Sequence, residues 1–199
     1  MLNLVLFGPP GSGKGTQSAR VAGRFNLVHL STGEIFREEV RKGTRLGKQL
    51  IGFMKEGVLV PDAIVLKKLY KIALQYRNAA GLVFDGFPRT LHQAVILDKL
   101  LEKKNIPINI VFCMVVDEDE LVRRMIGRSE DSGRCDDKEN VIRKRMQVYR
   151  EQTLPLKEYY AKQNKLSNIS GMAPVKQVAG RIARVVEHYL AQKEIVSMV

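Results

Sequence analysis

The sequence has few cysteines and no long apolar segment, and each absence narrows the class of protein. Among 199 residues only Cys113 and Cys135 carry thiols, too few for a disulfide framework. No run of about 18 apolar residues is present, which argues against a membrane span. Residues 1–3 carry no basic segment of the kind that begins an export signal. These features predict a cytoplasmic protein with no membrane partner.

The chain also lacks internal repeats, low-complexity segments and a polybasic tail. Its 199 residues, of which 45% are hydrophobic and 27% charged, have the composition of an ordinary globular protein. This length suits one domain with a sizeable core that carries small inserts.

Acidic residues are scarce relative to basic ones. The chain has 21 Asp and Glu against 33 Lys and Arg, which gives a net charge of +12. Such a balance is typical of proteins that bind a polyanion, either nucleic acid or a phosphorylated small molecule. A basic, solvated surface without any partner explains the charge equally well.

Apolar and β-branched runs alternate with helical patterns along the chain. The runs predict strands over residues 2–7, 28–30, 82–85, 110–116 and 166–169. The helical stretches are 14–25, a segment that Thr32 is predicted to N-cap, 61–78, 90–104, 137–163 with a break near Pro155, and one after Pro174. This alternation predicts an α/β fold with a parallel sheet.

Two stretches do not fit the alternation. Residues 31–60 contain two helical patterns with no strand between them, and residues 127–137 are polar and contain glycine. We expect both to be inserts or lids on the core.

The segment GPPGSGKGTQ follows the first strand directly. Residues 8–14 match the pattern G-x-x-x-x-G-K, in which glycines turn backbone N–H groups around an anion. The next helix directs its positive dipole end to the same place, and Lys14 adds a charge for the outer phosphates. The pattern therefore predicts a nucleoside triphosphate site.

The loop differs from the general motif at one position. Gly15 stands where Ser or Thr usually contributes a hydroxyl to Mg²⁺, and Thr16 comes one residue later. We therefore expect phosphates and water to hold the ion.

Arginines recur next to predicted loops and helix starts. Arg89 lies in DGFPRT, directly beyond the third strand and so at the same sheet edge as the glycine loop. Arg37, Arg128, Arg134 and Arg145 lie in or beside the two inserts. A guanidinium binds phosphate oxygens in pairs and keeps its charge, so these residues are candidates for binding phosphate.

The segments GPPGSGKGTQ, HLSTGEIFR, VFDGFPRTLHQA and GRCDDKENVIRKR occur in this order. Together they resemble the adenylate kinase family in its short-lid form, over essentially the whole chain. The resemblance implies reversible phosphoryl transfer from Mg·ATP to AMP, giving two ADP. It also implies a P-loop fold with a five-stranded parallel sheet flanked by helices, and a monomer whose partners are nucleotides rather than nucleic acid.

The resemblance also implies a division of the chain. The core would comprise residues 1–30, 61–122 and 138–199, with an NMP-binding insert at 31–60 and a short lid at 123–137. Asp136 and Asp137 would connect the closed lid to its partners.

The matching motif positions imply roles for individual residues. ATP would be bound by Gly11, Ser12, Gly13, Lys14, Gly15, Thr16, Arg124 and Arg128. AMP would be bound by Thr32, Gly33, Arg37, Gly57, Val60, Gly86, Arg89, Gln93, Arg134 and Arg145. The catalytic residues would be Lys14, Arg89, Arg128, Arg134 and Arg145, and Asp85 would order the waters around Mg²⁺.

The chemistry agrees with these roles. The nucleophile is a phosphate oxygen of AMP that is already an anion near pH 7, because its second pKa is about 6. A general base is not needed, so catalysis rests on positioning, on neutralising phosphate charge and on excluding water with the lids.

Particular residues bear on which nucleoside monophosphate accepts the phosphoryl group and on whether the lid binds zinc. Gln93 offers a donor and an acceptor to adenine, with Thr32 nearby, and Thr90 stands where UMP/CMP kinases usually carry asparagine. The predicted lid contains one thiol, Cys135, and no histidine, so we expect no structural zinc there.

Three alternatives stay open at this point. One is a related kinase with a different nucleoside monophosphate as acceptor. Another is a basic P-loop protein that binds nucleic acid, although no recognition-helix or RNA-binding aromatic pattern is present. The third is an inactive scaffold.

Overall fold

The structure, a computed structural model, describes residues 1–76, 78–132 and 139–197. The strands within these ranges are β1 Leu2–Phe7, β2 Val28–Ser31, β3 Gly81–Asp85, β4 Ile110–Val115 and β5 Leu166–Ser170. The α-helices are α1 Lys14–Arg24, α2 Thr32–Arg41, α3 Arg45–Glu56, α4 Asp62–Gln75, α5 Leu91–Glu102, α6 Glu118–Ser132, α7 Glu139–Val148, α8 Leu156–Ala161 and α9 Val175–Ser197.

The described strands form one parallel sheet in the order β2-β3-β1-β4-β5. The predicted α/β fold with five parallel strands is confirmed. Strand β1 lies in the middle, where Leu4 pairs with Val83 on one side and Ile110 on the other. All six residues of β1 are buried, which explains why its sequence is nearly continuously apolar.

Alternate residues of the sheet pack against two helical layers. Val5 and Phe7 belong to a core that includes side chains from α2 to α5 and from α8. Leu4 and Leu6 point the other way, into a core formed with α1 and α9. The sheet is therefore covered on both faces, and its carboxyl edge is left for loops.

Three segments meet at this edge because the strands are parallel. The glycine loop follows β1, the segment 86–90 follows β3, and helix α2 begins directly after β2. Side chains far apart in the sequence are thus brought to one place by the strand order.

The start of α2 differs from the prediction. Ser31 is the N-cap: its backbone is extended, with φ −95° and ψ 108°, and its Oγ accepts from the Glu34 N–H at 3.4 Å. Thr32 is the first helical residue, and its hydroxyl donates to the Gly86 carbonyl at 2.9 Å. The prediction that Thr32 is the N-cap was wrong. Ser31 and Thr32 both carry a hydroxyl that suits an N-cap, and the residue at which β2 ends decides which of them takes this position.

The long helical stretch before Pro155 is interrupted, as predicted. Helix α7 ends at Val148, a π-helical turn covers Tyr149–Thr153, and α8 begins at Leu156. The two helices predicted for residues 31–60 are α2 and α3. Helix α6 continues into the predicted lid as far as Ser132, and residues 133–138 lie outside the described ranges.

No helix within the described ranges combines the length and the apolar character that crossing a membrane requires.

Candidate functional site

The glycine loop has the backbone geometry of an anion-binding turn. Gly11 and Gly13 adopt left-handed conformations, with φ of 80° and 86°, which residues with a Cβ rarely adopt. Gly13 is the N-cap of α1, so the cap position holds no side chain that would compete for the first N–H groups of the helix. These N–H groups and the helix dipole favour a phosphate at this position.

Lys14 is held against the loop. Its Nζ donates to the Pro9 carbonyl at 2.7 Å and lies 3.4 Å from Ser12 Oγ. Burial is the main cause that lowers the pKa of Lys14 to about 7; the charge of Asp85 opposes this lowering, and the charges of Arg89, Arg145 and Arg128 add to it. The arginines therefore converge on the lysine, and a polyanion bound among them would restore its positive charge.

Asp85 ends β3 beneath the same loop. Asp85 is only 6% exposed, and its Oδ2 lies 3.3 Å from His29 Nε2. Burial alone would raise the pKa of Asp85, but the hydrogen bond from His29 and the charge of Lys14 hold it below its ordinary value. Asp85 is therefore a carboxylate at neutral pH, the state that suits a hydrated divalent cation.

Two adjoining clefts open at the carboxyl edge. The loop cleft, about 1020 Å³ with its open mouth, is lined by the glycine loop, Asp85 and Arg128 among others. The insert cleft, about 670 Å³, lies between α2, α3 and the start of α5 and has an apolar lining that includes Phe36, Phe53 and Met54. Gly33, Arg37, Gly86, Arg89 and Arg145 line both clefts.

Arg89 is fixed at the boundary by its own backbone and side chain. Its Nε donates to the Gly86 carbonyl at 2.7 Å, and its N–H donates to Gln93 Oε1 at 2.8 Å. The Arg89 carbonyl accepts from the Thr153 hydroxyl at 2.8 Å. These contacts hold a permanent cation where the two clefts meet.

Arg145 reaches the boundary from α7, on the opposite side. Gly57, which ends α3 with φ 69°, packs beneath it, and a Cβ on Gly57 would lie 3.1 Å from Arg145 Cγ. The close approach explains why glycine occupies this position. Arg145 is thereby brought to the end of the insert, beside Arg89.

Gln93 lies at the floor of the insert cleft and is 2% exposed. Its Oε1 accepts from the Arg89 N–H, and its Nε2 donates to Asp62 Oδ1 at 2.6 Å. The other oxygen of Asp62 lies 2.6 Å from Nδ1 of His92. The amide therefore already has one partner at each end, and each end keeps one hydrogen-bonding position for a ligand.

Most of the described residues predicted for the site are brought together by the fold. Those that line one or both clefts are Gly11, Gly13, Lys14, Gly15, Thr16, Thr32, Gly33, Arg37, Gly57, Val60, Asp85, Gly86, Arg89, Gln93, Arg128 and Arg145. Ser12 and Arg124 are not among the lining residues that the structure describes. Arg134, Cys135, Asp136 and Asp137 lie outside the described ranges.

Ser12 and Arg124 have other surroundings. Ser12 is buried beneath the loop at 1% exposure. Arg124, on α6, donates to Glu120 Oε1 at 2.6 Å and to the Gly171 carbonyl beyond β5 at 3.0 Å. Its guanidinium is therefore held near the carboxyl end of β5.

Sequence reasoning missed part of the cleft. Phe36 and Phe53 occupy apolar positions of amphipathic helices, which are typical of core packing, so their sequence pattern does not mark a cleft. Asp62 and Thr153 act through contacts with residues more than thirty positions away. Only the position of Asp62 after Pro61, at the start of a helix, could have singled it out.

Comparisons with known proteins agree with this geometry. A family model described as adenylate kinase matches residues 6–165. The adenylate kinase of Bacteroides fragilis is 41% identical over 187 residues, which cover 94% of this chain and 99% of the relative. Those of Maricaulis maris (44% over 186 residues, covering 94% and 99%) and Porphyromonas gingivalis (39% over 189 residues, covering 95% and 97%) are similar to a comparable degree.

Proposed function

This chain belongs to the adenylate kinase family, and we propose that it converts Mg·ATP and AMP reversibly into two ADP without a general base. As a member of the family it is an enzyme that transfers a phosphoryl group between ATP and AMP. The proposal adds the metal requirement, the roles of individual residues and closure of the lid.

The observation that carries the proposal is the pair of clefts that share Arg89 and Arg145. A reaction between two phosphorylated nucleotides needs two adjoining sites whose phosphates meet end to end. Permanent cations at the boundary offset the repulsion between those phosphates, which is the main electrostatic obstacle to the reaction.

The loop cleft would take ATP. The N–H groups at the start of α1, Lys14 and Arg128 would bind its phosphates, and Arg124 would pack on its adenine. Mg²⁺ would be held by phosphate oxygens and by waters ordered by the Asp85 carboxylate, and it supplies further positive charge to the triphosphate. Within the described residues, no group of three or more His, Cys, Asp or Glu side chains could hold a metal.

The insert cleft would take AMP. Its apolar lining suits a purine, and the free positions of the Gln93 amide suit the edge of adenine. The cations on the side shared with the loop cleft, Arg37, Arg89 and Arg145, suit the monophosphate. An AMP bound this way would direct its phosphate at the triphosphate.

In the transfer step an AMP phosphate oxygen forms a bond to the γ-phosphorus while the bond from that phosphorus to the β,γ-bridging oxygen breaks. ADP leaves from the loop cleft and a second ADP forms in the insert cleft. The nucleophile is already an anion, so no proton has to be removed. Closure of the lid, residues 123–137, with Arg134 would exclude water as a competing acceptor.

One chain lines both clefts, so the proposed reaction needs no residue from a second copy, and we propose a monomer whose partners are nucleotides rather than nucleic acid. A cytoplasmic location stays a prediction from the sequence.

The test is ADP formation from Mg·ATP, with AMP, UMP, CMP and GMP compared as acceptors. We expect strong preference for AMP, and loss of activity by orders of magnitude in Arg89→Ala with the fold unchanged by circular dichroism. Arg143→Ala is the matched control, because its side chain on α7 is 78% exposed. Preference for a pyrimidine would overturn the acceptor site, and near-normal turnover in Arg89→Ala would remove Arg89 from the chemistry.

A further inference from the structure

We propose that Asp62 is a positioning residue that fixes the amide of Gln93 in one orientation and so makes the acceptor site select adenine over 6-oxopurines. The proposal rests on the proposed function, in which Gln93 faces the acceptor base. It concerns how Gln93 discriminates between adenine and 6-oxopurines. The presence of Gln93 in the acceptor site does not by itself determine this preference.

The contacts form a short chain across three elements. Asp62, the first residue of α4, accepts from Gln93 Nε2 at 2.6 Å. The Arg89 N–H, in the segment after β3, donates to Gln93 Oε1 at 2.8 Å. Gln93 lies in the first turn of α5, and its N–H donates to Thr90 Oγ1 at 3.1 Å.

The chemistry of the two partners assigns the orientation of the amide. A carboxylate only accepts hydrogen bonds, and a backbone N–H only donates them. A flipped amide would set its oxygen against the carboxylate and its NH₂ group against the N–H, so both contacts would become repulsive. The two hydrogen-bond partners therefore determine which end of the Gln93 amide is the oxygen and which is the nitrogen.

A fixed amide distinguishes two purine edges that a rotating amide does not. Adenine presents an amino donor at position 6 beside the N1 acceptor, whereas hypoxanthine and guanine present an oxygen acceptor beside an N1–H donor. A glutamine that turns over can match either edge. Gln93 is held by Asp62 and Arg89, so its remaining lone pair and its remaining hydrogen stay at fixed ends of the amide. It can therefore match only one purine edge, which in the proposed acceptor site is that of adenine.

Asp62 is itself well placed to hold this orientation. It begins α4, where the helix dipole favours a carboxylate, and only Pro61 separates it from the cleft-lining residues Val58, Leu59 and Val60. Its second oxygen contacts His92, whose side chain is 69% exposed. His92 therefore touches Asp62 from solvent, while the Gln93 contact is inside the cleft.

The experiment compares AMP with inosine monophosphate, which differs at position 6, as acceptors at saturating Mg·ATP. The enzymes are the natural protein, Asp62→Ala, which removes the acceptor for Gln93 Nε2, Gln93→Ala, the double variant, and His92→Ala as the control for the outer contact. We expect the ratio of kcat/KM for AMP to that for inosine monophosphate to fall about tenfold in Asp62→Ala, the size of one misplaced hydrogen bond. The KM for ATP should stay unchanged, and His92→Ala should keep the natural ratio.

The double variant separates positioning from a structural role. If Asp62 acts through Gln93, Asp62→Ala should change the ratio no further once Gln93 is alanine. A natural ratio in Asp62→Ala with a lowered ratio in Gln93→Ala would overturn the positioning role, as would equal losses with both acceptors. An unchanged ratio in Gln93→Ala would instead overturn the acceptor site of the proposed function. If Asp62→Ala is unstable, Asp62→Leu, which also lacks an acceptor, gives the same comparison.

Discussion

At the scale of the residue, Lys14 shows that a side chain suited to bind a ligand can lower the stability of the protein when no ligand is bound. Its pKa in the folded protein is about 7, against 10.5 for an ordinary lysine. Between these values the unfolded chain holds a proton that the folded chain does not, so this residue's contribution to the free energy of unfolding rises with pH in that window. Below pH 7 the folded protein carries the full cost of a buried charge.

Lys14→Met should therefore stabilise the protein while weakening its handling of ATP. We expect the free energy of unfolding to increase at pH 6.5, and this increase to be smaller by about 3 kcal/mol at pH 9.5 because the natural lysine is then neutral in the fold. Urea denaturation without nucleotide at the two pH values measures this difference. An increase of equal size at both pH values would contradict the lowered pKa.

The control for Lys14→Met is Lys162→Met, whose side chain is 74% exposed. It should change the free energy of unfolding by less than about 0.5 kcal/mol at either pH. The pair separates loss of a buried charge from the general effect of replacing lysine by methionine.

Residues of the site differ in how far the sequence could reveal them. Lys14, Asp85 and Arg89 lie in short contiguous motifs whose geometry is local, since Asp85 ends β3 and the loops that lead to Lys14 and Arg89 directly follow strands. Asp62 and Thr153 touch the site through partners 31 and 64 positions away, and no local pattern encodes such contacts. Their contribution to the site could be recognised only from the folded structure.

At the scale of the element, the π-helical turn Tyr149–Thr153 connects the helix that carries Arg145 to Arg89. The wider turn follows α7 directly and places the Thr153 hydroxyl 2.8 Å from the Arg89 carbonyl. Thr153 is 5% exposed, so this hydrogen bond is shielded from water. Short π-helical segments are frequently found at functional sites, and this one connects the two cations shared by the clefts.

Thr153→Val keeps the shape of the side chain but removes its hydroxyl and leaves the Arg89 carbonyl short of one donor. We expect a loss of about 1–2 kcal/mol in the free energy of unfolding and a fall of about tenfold in kcat/KM for AMP, because Arg89 is less well fixed. Steady-state kinetics with AMP varied at saturating ATP, together with urea denaturation, measure both effects.

Thr153→Ser retains the hydroxyl and serves as the matched control. It should keep kcat/KM for AMP within about twofold of the natural protein if the hydrogen bond to Arg89 is what matters. Equal kinetics in the serine and valine variants would show that Thr153 only fills space.

The helices and strands could be predicted from the sequence better than the points at which they begin and end. Strands such as β1 and β4 are apolar because both faces of the sheet are covered, and that pattern is visible in sequence. The start of α2 was assigned one residue late, because Ser31 and Thr32 are both suitable caps and tertiary contact with Gly86 claims the second hydroxyl. The π-helical turn has no sequence pattern of its own; Pro155 indicated only that the helix would break.

At the scale of the whole molecule, the parallel sheet divides the surface into two edges with different roles. The clefts open at the carboxyl edge, whereas the segment between α5 and β4, with the exposed lysines Lys103 and Lys104, lies at the amino edge. Strand β4 has six residues, so the two edges are about 20 Å apart, roughly two Debye lengths at physiological salt. The net charge of +12 therefore includes charges that contribute little to the potential in the clefts.

The salt dependence of the reaction should reflect only the charges near the clefts. Raising the ionic strength from about 0.05 to about 0.3 M should increase the KM for AMP several-fold, because screening weakens the attraction of the arginines for the phosphates. The double variant Lys103→Gln/Lys104→Gln should show the same dependence as the natural protein in the coupled ADP assay. A clearly flatter dependence would mean that the whole basic surface attracts the substrate, and would favour a partner larger than a nucleotide. Binding of a fluorescent duplex DNA by both proteins, measured at the same salt concentrations, would then decide whether that partner is nucleic acid.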